Sequence, residues 1–183
     1  MKVCILNGNP APGRDTLERY LDGLVEGLEA RECGVTRLEL RDLSIRYCTG
    51  CWGCWTKTPG ECVARDDSAQ VCQTMIHSDL TLLAAPLLMG YPSALLKKAQ
   101  DKLIPLVHPY IELVHGEAHH RARYERYPLL GILLHPEEDT DEEDLRLVTR
   151  MYQRAALNLK SSLALSRTTA DPIEEVVDEI GRL

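Results

Sequence analysis

The sequence predicts one α/β domain in three layers, a parallel sheet with helices on both faces, and three observations carry that prediction. Strand-length runs recur at residues 3–6, 35–40, 80–85, 129–134 and 162–165. Segments with helical spacing of apolar residues separate them. Each separation is long enough for a helical crossover, which parallel strands require and hairpins do not. A chain of 183 residues suits one domain spanning residues 1–183.

The elements follow in order. Residues 3–6 (Val-Cys-Ile-Leu) are wholly apolar and stop at Asn7-Gly8-Asn9-Pro10, as a strand buried on both faces does. Leu17, Leu21, Leu24 and Leu28 lie on one stripe of an amphipathic helix over residues 15–32, ended by Gly34. Residues 35–40 alternate apolar and polar, as in a strand nearer a sheet edge. Residues 42–65 read as a loop, Cys-rich over 47–62. Asp66 and Asp67 mark a helix start, because carboxylates favour the positive end of the helix dipole. After the strand at 80–85, residues 86–91 read as a loop. Pro92 then opens a helix with Leu95, Leu96, Ala99, Leu103 and Leu106 on its apolar face. Residues 105–126 form a polar excursion rich in His and Arg, without a clear period. Acidic residues at 139–143 begin a helix that reaches Leu159, and Pro172 begins a terminal one.

Composition narrows the function. A formal net charge of −7 argues against non-specific binding to nucleic acid or to an anionic membrane. No apolar stretch reaches the roughly 18 residues of a membrane span, and the first apolar run is too short for an export signal. The expected compartment is the cytoplasm, where thiols stay reduced. The seven cysteines therefore read as buried thiols, redox groups or metal ligands. Cys4, Cys33 and Cys72 fall inside strand or helix segments and read as small buried apolar residues.

Ligands of such sheets sit beyond the carboxyl ends of the strands, where strand order reverses. The loops at 7–16 and 86–92 both leave strands at that end. The first runs from a strand through Asn9, Pro10, Arg14 and Asp15 to Thr16 at a helix start. Backbone N–H groups and the helix dipole make such a turn a phosphate cradle. Thr16 adds a hydroxyl and Arg14 a charge. Its glycine spacing matches neither a P-loop nor a dinucleotide fingerprint. A plain turn capped by Asp15 or Thr16 fits the same residues.

A more specific segment runs Cys48-Thr49-Gly50-Cys51-Trp52-Gly53-Cys54-Trp55-Thr56-Lys57-Thr58-Pro59-Gly60-Glu61-Cys62, with Asp66-Asp67 beyond it. Here the sequence resembles the NADPH-dependent FMN reductase and iron–sulfur flavoprotein group of the flavodoxin-like superfamily, with its CxGCxxCWxKTPGxC segment. The matching second loop is Pro86, Leu87, Leu88, Met89 and Gly90, followed by Ser93, Leu96-Lys97 and Asp101-Lys102. The resemblance covers roughly residues 1–135. It implies a five-stranded parallel sheet in order 2-1-3-4-5, homo-oligomers, FMN as cofactor and NAD(P)H as reductant. It departs in the first loop, where Asn9, Ala11 and Asp15 stand for the family's Ser, Arg and Asn and only Thr16 is kept. A carboxylate close to a phosphate costs about 1 kcal/mol or more, which Arg14 partly offsets. In the second loop Ala85 replaces a Thr, and Leu88 an aromatic residue.

Cys48, Cys51, Cys54 and Cys62 are spaced for three readings: a 4Fe-4S cluster held by four thiolates, a tetrahedral zinc, or a metal-free thiol loop in which Cys51 and Cys54 form a redox pair. In the excursion, His115 and His119 could share a helical face, and Arg121 and Arg123 could meet a phosphate. That segment reads as a lid, a dimer contact or a solvated loop. The function expected is an FMN-dependent oxidoreductase passing electrons from NAD(P)H to a small-molecule or protein acceptor. The alternative is a non-catalytic binding or scaffold protein with a degenerate flavin site.

Overall fold

A computed structural model describes residues 1–11 and 16–183. Arg14 and Asp15, two of the residues expected to meet a phosphate, lie outside the described residues. The elements are β1 (Lys2–Asn7), α1 (Thr16–Glu29), β2 (Gly34–Glu39), α2 (Gly53–Thr56), α3 (Ser68–Ile76), β3 (Leu80–Leu88) and β4 (Tyr91–Pro92). They continue with α4 (Ala94–Gln100), β5 (Val107–Val114), β6 (Glu117–Ala122), β7 (Leu129–His135), α5 (Glu142–Asn158), β8 (Leu163–Thr168) and α6 (Ile173–Ile180).

The parallel strands lie in the order β2-β1-β3-β7-β8, which is the expected 2-1-3-4-5 once the antiparallel strands β4, β5 and β6 are set aside. Alternation along each strand sends side chains to two separate cores. Cys4 and Leu6 of β1, with Leu83 and Leu130, pack beneath α3, α4 and α5. Val3 and Ile5, with Leu80 and Leu82, pack beneath α1 and α6. The leucine stripe of α1 (Leu17, Leu21, Leu24, Leu28) is fully buried there. Helix α5 opens with a capping box, in which the Asp141 side chain accepts from the N–H of Glu143 and Asp144.

Several expectations are corrected. Residues 86–88 are strand rather than loop, because β3 runs on beside β7 as far as Pro86 opposite His135 after its pairing with β1 has ended at Ala84, and Leu87 and Leu88 then pair with β4. Pro92 is bridged to Leu87 instead of opening a helix. The cap of α4 is Ser93, whose hydroxyl accepts from the Leu96 N–H. The helix stops at Gln100, so Leu103 and Leu106 lie beyond it, Leu106 in a 3₁₀ turn over 104–106. Within the excursion at 105–126, β5 and β6 form a two-stranded antiparallel ribbon. Its turn places His115 and Gly116 at positive φ, which separates His115 from His119 on β6 and removes the shared helical face. The Arg123 guanidinium is committed to the carbonyls of Pro105 and Val107. Among the described residues no helix is long and apolar enough to cross a membrane.

Gly131 lies mid-sheet on β7, where an added Cβ would come within 2.7 Å of the Leu165 side chain and 3.0 Å of that of Leu82. Gly131→Ala is expected to destabilise the fold by about 1–3 kcal/mol through overpacking. A urea titration should show a lower midpoint with an unchanged slope.

Candidate functional site

Strand order reverses between β1 and β3, the place where sheets of this kind hold ligands beyond the carboxyl ends of their strands. There the two expected loops are fastened together. The Gly8 N–H donates to the Ala84 carbonyl at 2.7 Å. The Ser93 hydroxyl donates to the Gly8 carbonyl, and the Ser93 N–H donates to the carbonyl of Pro86 at 3.2 Å. A Cβ on Gly8 would stand 2.6 Å from Cβ of Leu96, so only glycine permits this approach.

Beneath the first loop lies a charged network that the sequence reading missed. Glu18, in the first turn of α1, is buried. Its Oε1 accepts from Asn7 Nδ2 at 2.8 Å, Asn9 Nδ2 at 2.9 Å and Arg41 Nη1 at 2.9 Å. Arg37 pairs with Glu18, Glu39 and Asp22, and Arg41 also pairs with Glu39. Asn9 is spent inside the loop, since its Oδ1 accepts from the Ala11 N–H at 3.1 Å. Pro10 and Thr16 are exposed. The available signal was Glu18 beside the Leu17 stripe, with Arg37, Glu39 and Arg41 alternating along and just past β2.

The second loop is a tight hairpin. Leu88 pairs with Tyr91 across a two-residue turn, and Met89 and Gly90 both have positive φ (55° and 72°), the pattern of a type I′ turn. Pro86 is half-buried and Leu87 buried, whereas Leu88 is half-exposed and Met89 almost fully so. The Gly90 N–H is held by Glu137 Oε2 at 3.2 Å.

Cys48, Cys51, Cys54 and Cys62 all line one cavity of about 210 Å³, together with Trp52, Lys102 and Ile104. None of its lining residues belongs to the first loop or to the turn at 86–90. The Lys57-Thr58-Pro59-Gly60 stretch closes on itself: the Gly60 N–H bonds the Cys54 carbonyl at 3.0 Å, with Gly60 at φ 93°. Trp52 stacks on Trp55 at 5.0 Å, and Trp55 Nε1 donates to the Val107 carbonyl. Burial raises the Cys54 pKa, and the neighbouring Cys62, Cys48 and Cys51 raise it further. The Gly53 N–H at the start of α2 lowers that of Cys51, with Lys57 a lesser cause. Lys102, at 3% exposure, donates to Cys62 Sγ at 2.9 Å and pairs with Asp66 at 3.1 Å. Lys102 stood in the sequence only as part of a family-like pattern. Its role as the cation beside the thiols emerges from the end of α4 folding against the Cys loop. Among the described residues, no group of three or more His, Cys, Asp or Glu side chains is gathered for a single metal ion.

The family model for NADPH-dependent FMN reductase matches residues 1–122. The chain belongs to that family. An iron–sulfur flavoprotein of Archaeoglobus fulgidus is 33% identical over 108 residues, covering 59% of this chain and 48% of that protein. Another, from Methanocaldococcus jannaschii, is 33% identical over 110 residues, covering 58% and 53%. The chain thus spans about half the length of these curated relatives. The crystal structure of an FMN-dependent NADH-azoreductase from Bacillus anthracis superposes with a TM-score of 0.65 at 13% identity, covering 99% of this chain and 97% of the other. At that identity the match establishes a shared flavodoxin-like fold. The Cys cavity and the Gly8 clasp are separate places: Lys102, which lines the cavity, follows α4, and Ser93, which holds Gly8, precedes it.

Asp66 is 4% exposed at its side chain. Desolvation pushes its carboxyl upward, but hydrogen bonds from Ser68, the Arg46 N–H and Lys102 prevail and hold it well below the ordinary carboxylate range. A depressed acid stabilises the fold above its unfolded pKa and loses that contribution as pH falls through the folded value. Asp66→Asn should therefore be less stable than wild type at pH 7, by about 3 kcal/mol for a broken buried pair. The gap should narrow below about pH 4, as read by urea midpoints across pH.

Proposed function

We propose that this protein is an FMN-dependent oxidoreductase that takes electrons from NAD(P)H and passes them to a small acceptor. The observation that carries the reading is the clasp at Gly8, which fixes the first loop and the 86–90 hairpin side by side at the sheet's switch point. A phosphate-tailed flavin would lie across these two loops. Thr16 with Arg14, and the backbone around Asn9, Pro10 and Asp15, would meet the phosphate, while Pro86 to Gly90 would border the ring. Leu88 and Met89, exposed on the turn, offer apolar contact to its face. FMN supplies the capacity to accept hydride and release electrons singly or in pairs. The chain's own part is placement: Gly8 and Ser93 set the spacing of the two loops, and Arg37 and Arg41 neutralise Glu18 beneath the phosphate end.

Cys48, Cys51, Cys54 and Cys62 are proposed as ligands of an iron–sulfur cluster. The donor set fits: four thiols border one cavity. A single zinc would need its sulfurs within about 4 Å of one another, whereas a cube receives thiolates at separate corners. The charged hydrogen bond from Lys102 to Cys62 would stabilise sulfur charge there. Ile111 and Leu113, exposed two residues apart on one face of β5, support a homo-oligomer. The alternative, a binding protein with a degenerate flavin site, is favoured by one feature of the sequence: Asp15 stands in the first loop where the family has Asn.

Two measurements test the reading. Apo-protein titrated with FMN should quench flavin fluorescence to a one-to-one endpoint. Thr16→Val combined with Arg14→Ala should weaken uptake at least about tenfold, as loss of a charged and a neutral phosphate contact implies. A colourless protein that takes up no FMN would establish the alternative. Anaerobic reconstitution with iron and sulfide should give a brown protein, and Cys54→Ser should lose that colour while still binding FMN. Loss of both together would contradict two separate sites.

A further inference from the structure

Glu18, Lys102 and His119 are side chains able to carry charge that the fold buries. Glu18 is matched by Arg37 and Arg41, and His119 meets Asn158 and Glu117. Lys102 differs, because one of its partners is sulfur. Its Nζ donates to Cys62 Sγ at 2.9 Å and lies 3.1 Å from the Asp66 carboxylate. Lysine is seldom withdrawn from water without a partner. Here the partner pair is one carboxylate and one of the four thiols of the Cys cavity, which Lys102 itself lines.

The ammonium is fixed from both ends of its side chain. Lys102 follows α4 closely, with its N–H bonded to the Ala99 carbonyl at 3.0 Å, and its own carbonyl accepts from Cys72 Sγ of α3 at 3.5 Å. Asp66 is held in turn by the N–H groups of Arg46 at 2.9 Å and Ser68 at 3.0 Å. A charge tied in this way keeps its place beside Cys62. Withdrawn from solvent, it is screened far less by salt than a surface charge.

We propose that Lys102 is a positioning residue that acts through Cys62 to raise the reduction potential of an iron–sulfur cluster held by Cys48, Cys51, Cys54 and Cys62. The proposal rests on the cluster reading given above. Reduction of a cluster adds one electron and breaks no bond, and the ligand sulfurs share the added negative charge. Hydrogen bonds to those sulfurs and the net charge around them are what set the potential. A cation donating to a ligand sulfur stabilises the reduced form more than the oxidised one. Asp66 has the opposite sign and meets Cys62 through Lys102. The two side chains therefore move the potential in opposite directions.

The test uses the full chain, reconstituted anaerobically with iron and sulfide. Dithionite supplies the electron, and the EPR signal of the reduced cluster is followed in a potential titration at pH 7. Lys102→Gln should bind as much iron and sulfide as wild type. Its midpoint should fall by about 60 mV or more, the equivalent of about tenfold in a one-electron equilibrium. Lys102→Arg keeps a charged donor and should recover at least about half of that shift. Asp66→Asn should raise the midpoint, and a mere loosening of the loop would not give the two sites opposite signs. Should Lys102→Gln hold no cluster, the sign of the Asp66→Asn shift decides. A Lys102→Gln midpoint at or above that of wild type would overturn the proposal and leave the cluster reading standing, as would an Asp66→Asn midpoint at or below it. A wild-type chain that takes up no cluster would overturn both.

Discussion

The approach of Gly8 to β3 and α4 constrains everything beyond the carboxyl edge of the sheet. A parallel sheet leaves its switch point open, and backbone groups there need partners. Here the Gly8 N–H goes to Ala84 and its carbonyl to the hydroxyl that caps α4. The first loop, the end of β3 and the start of α4 therefore share a set of bonds, with no room for a Cβ between them. The same bonds account for Pro86. Its missing N–H falls where β1 has already left the ladder, and its carbonyl is taken by Ser93.

Helix α4 links this clasp to the Cys cavity. It has seven residues and is roughly 10 Å long. Ser93 precedes it at one end; Lys102 follows it at the other and reaches Cys62 and Asp66. Burial alone would lower the pKa of Lys102, but its bonds to Cys62 and Asp66 raise it and hold the ammonium charged. One short rigid element thus positions a hydroxyl at the clasp beyond the carboxyl edge and a cation beside the thiols.

The architecture was legible because its main strands are buried on both faces, which leaves unbroken apolar runs such as residues 3–6 and 129–134. The edge strand β8 was seen only as far as Leu165, because its continuation, Ser166-Arg167-Thr168, is polar and partly solvated. The ribbon of β5 and β6 was hidden by its composition. His, Glu and Tyr are spread over both of its faces, so no period survives, and only the glycine at its turn marked it. The candidate site was half legible. Loop positions and the four cysteines follow from order along the chain. Glu18, Arg37 and Arg41 left only the charge alternation along and past β2 as a trace, and Lys102 acts through partners 36 and 40 residues away, which leaves no local pattern.

The most direct test of the central claim is a crystal structure of the protein with FMN. The account requires the flavin phosphate in the crevice between the first loop and the 86–90 turn, with the Gly8 to Ser93 clasp intact beneath it. Flavin bound at another surface with that crevice empty would contradict it.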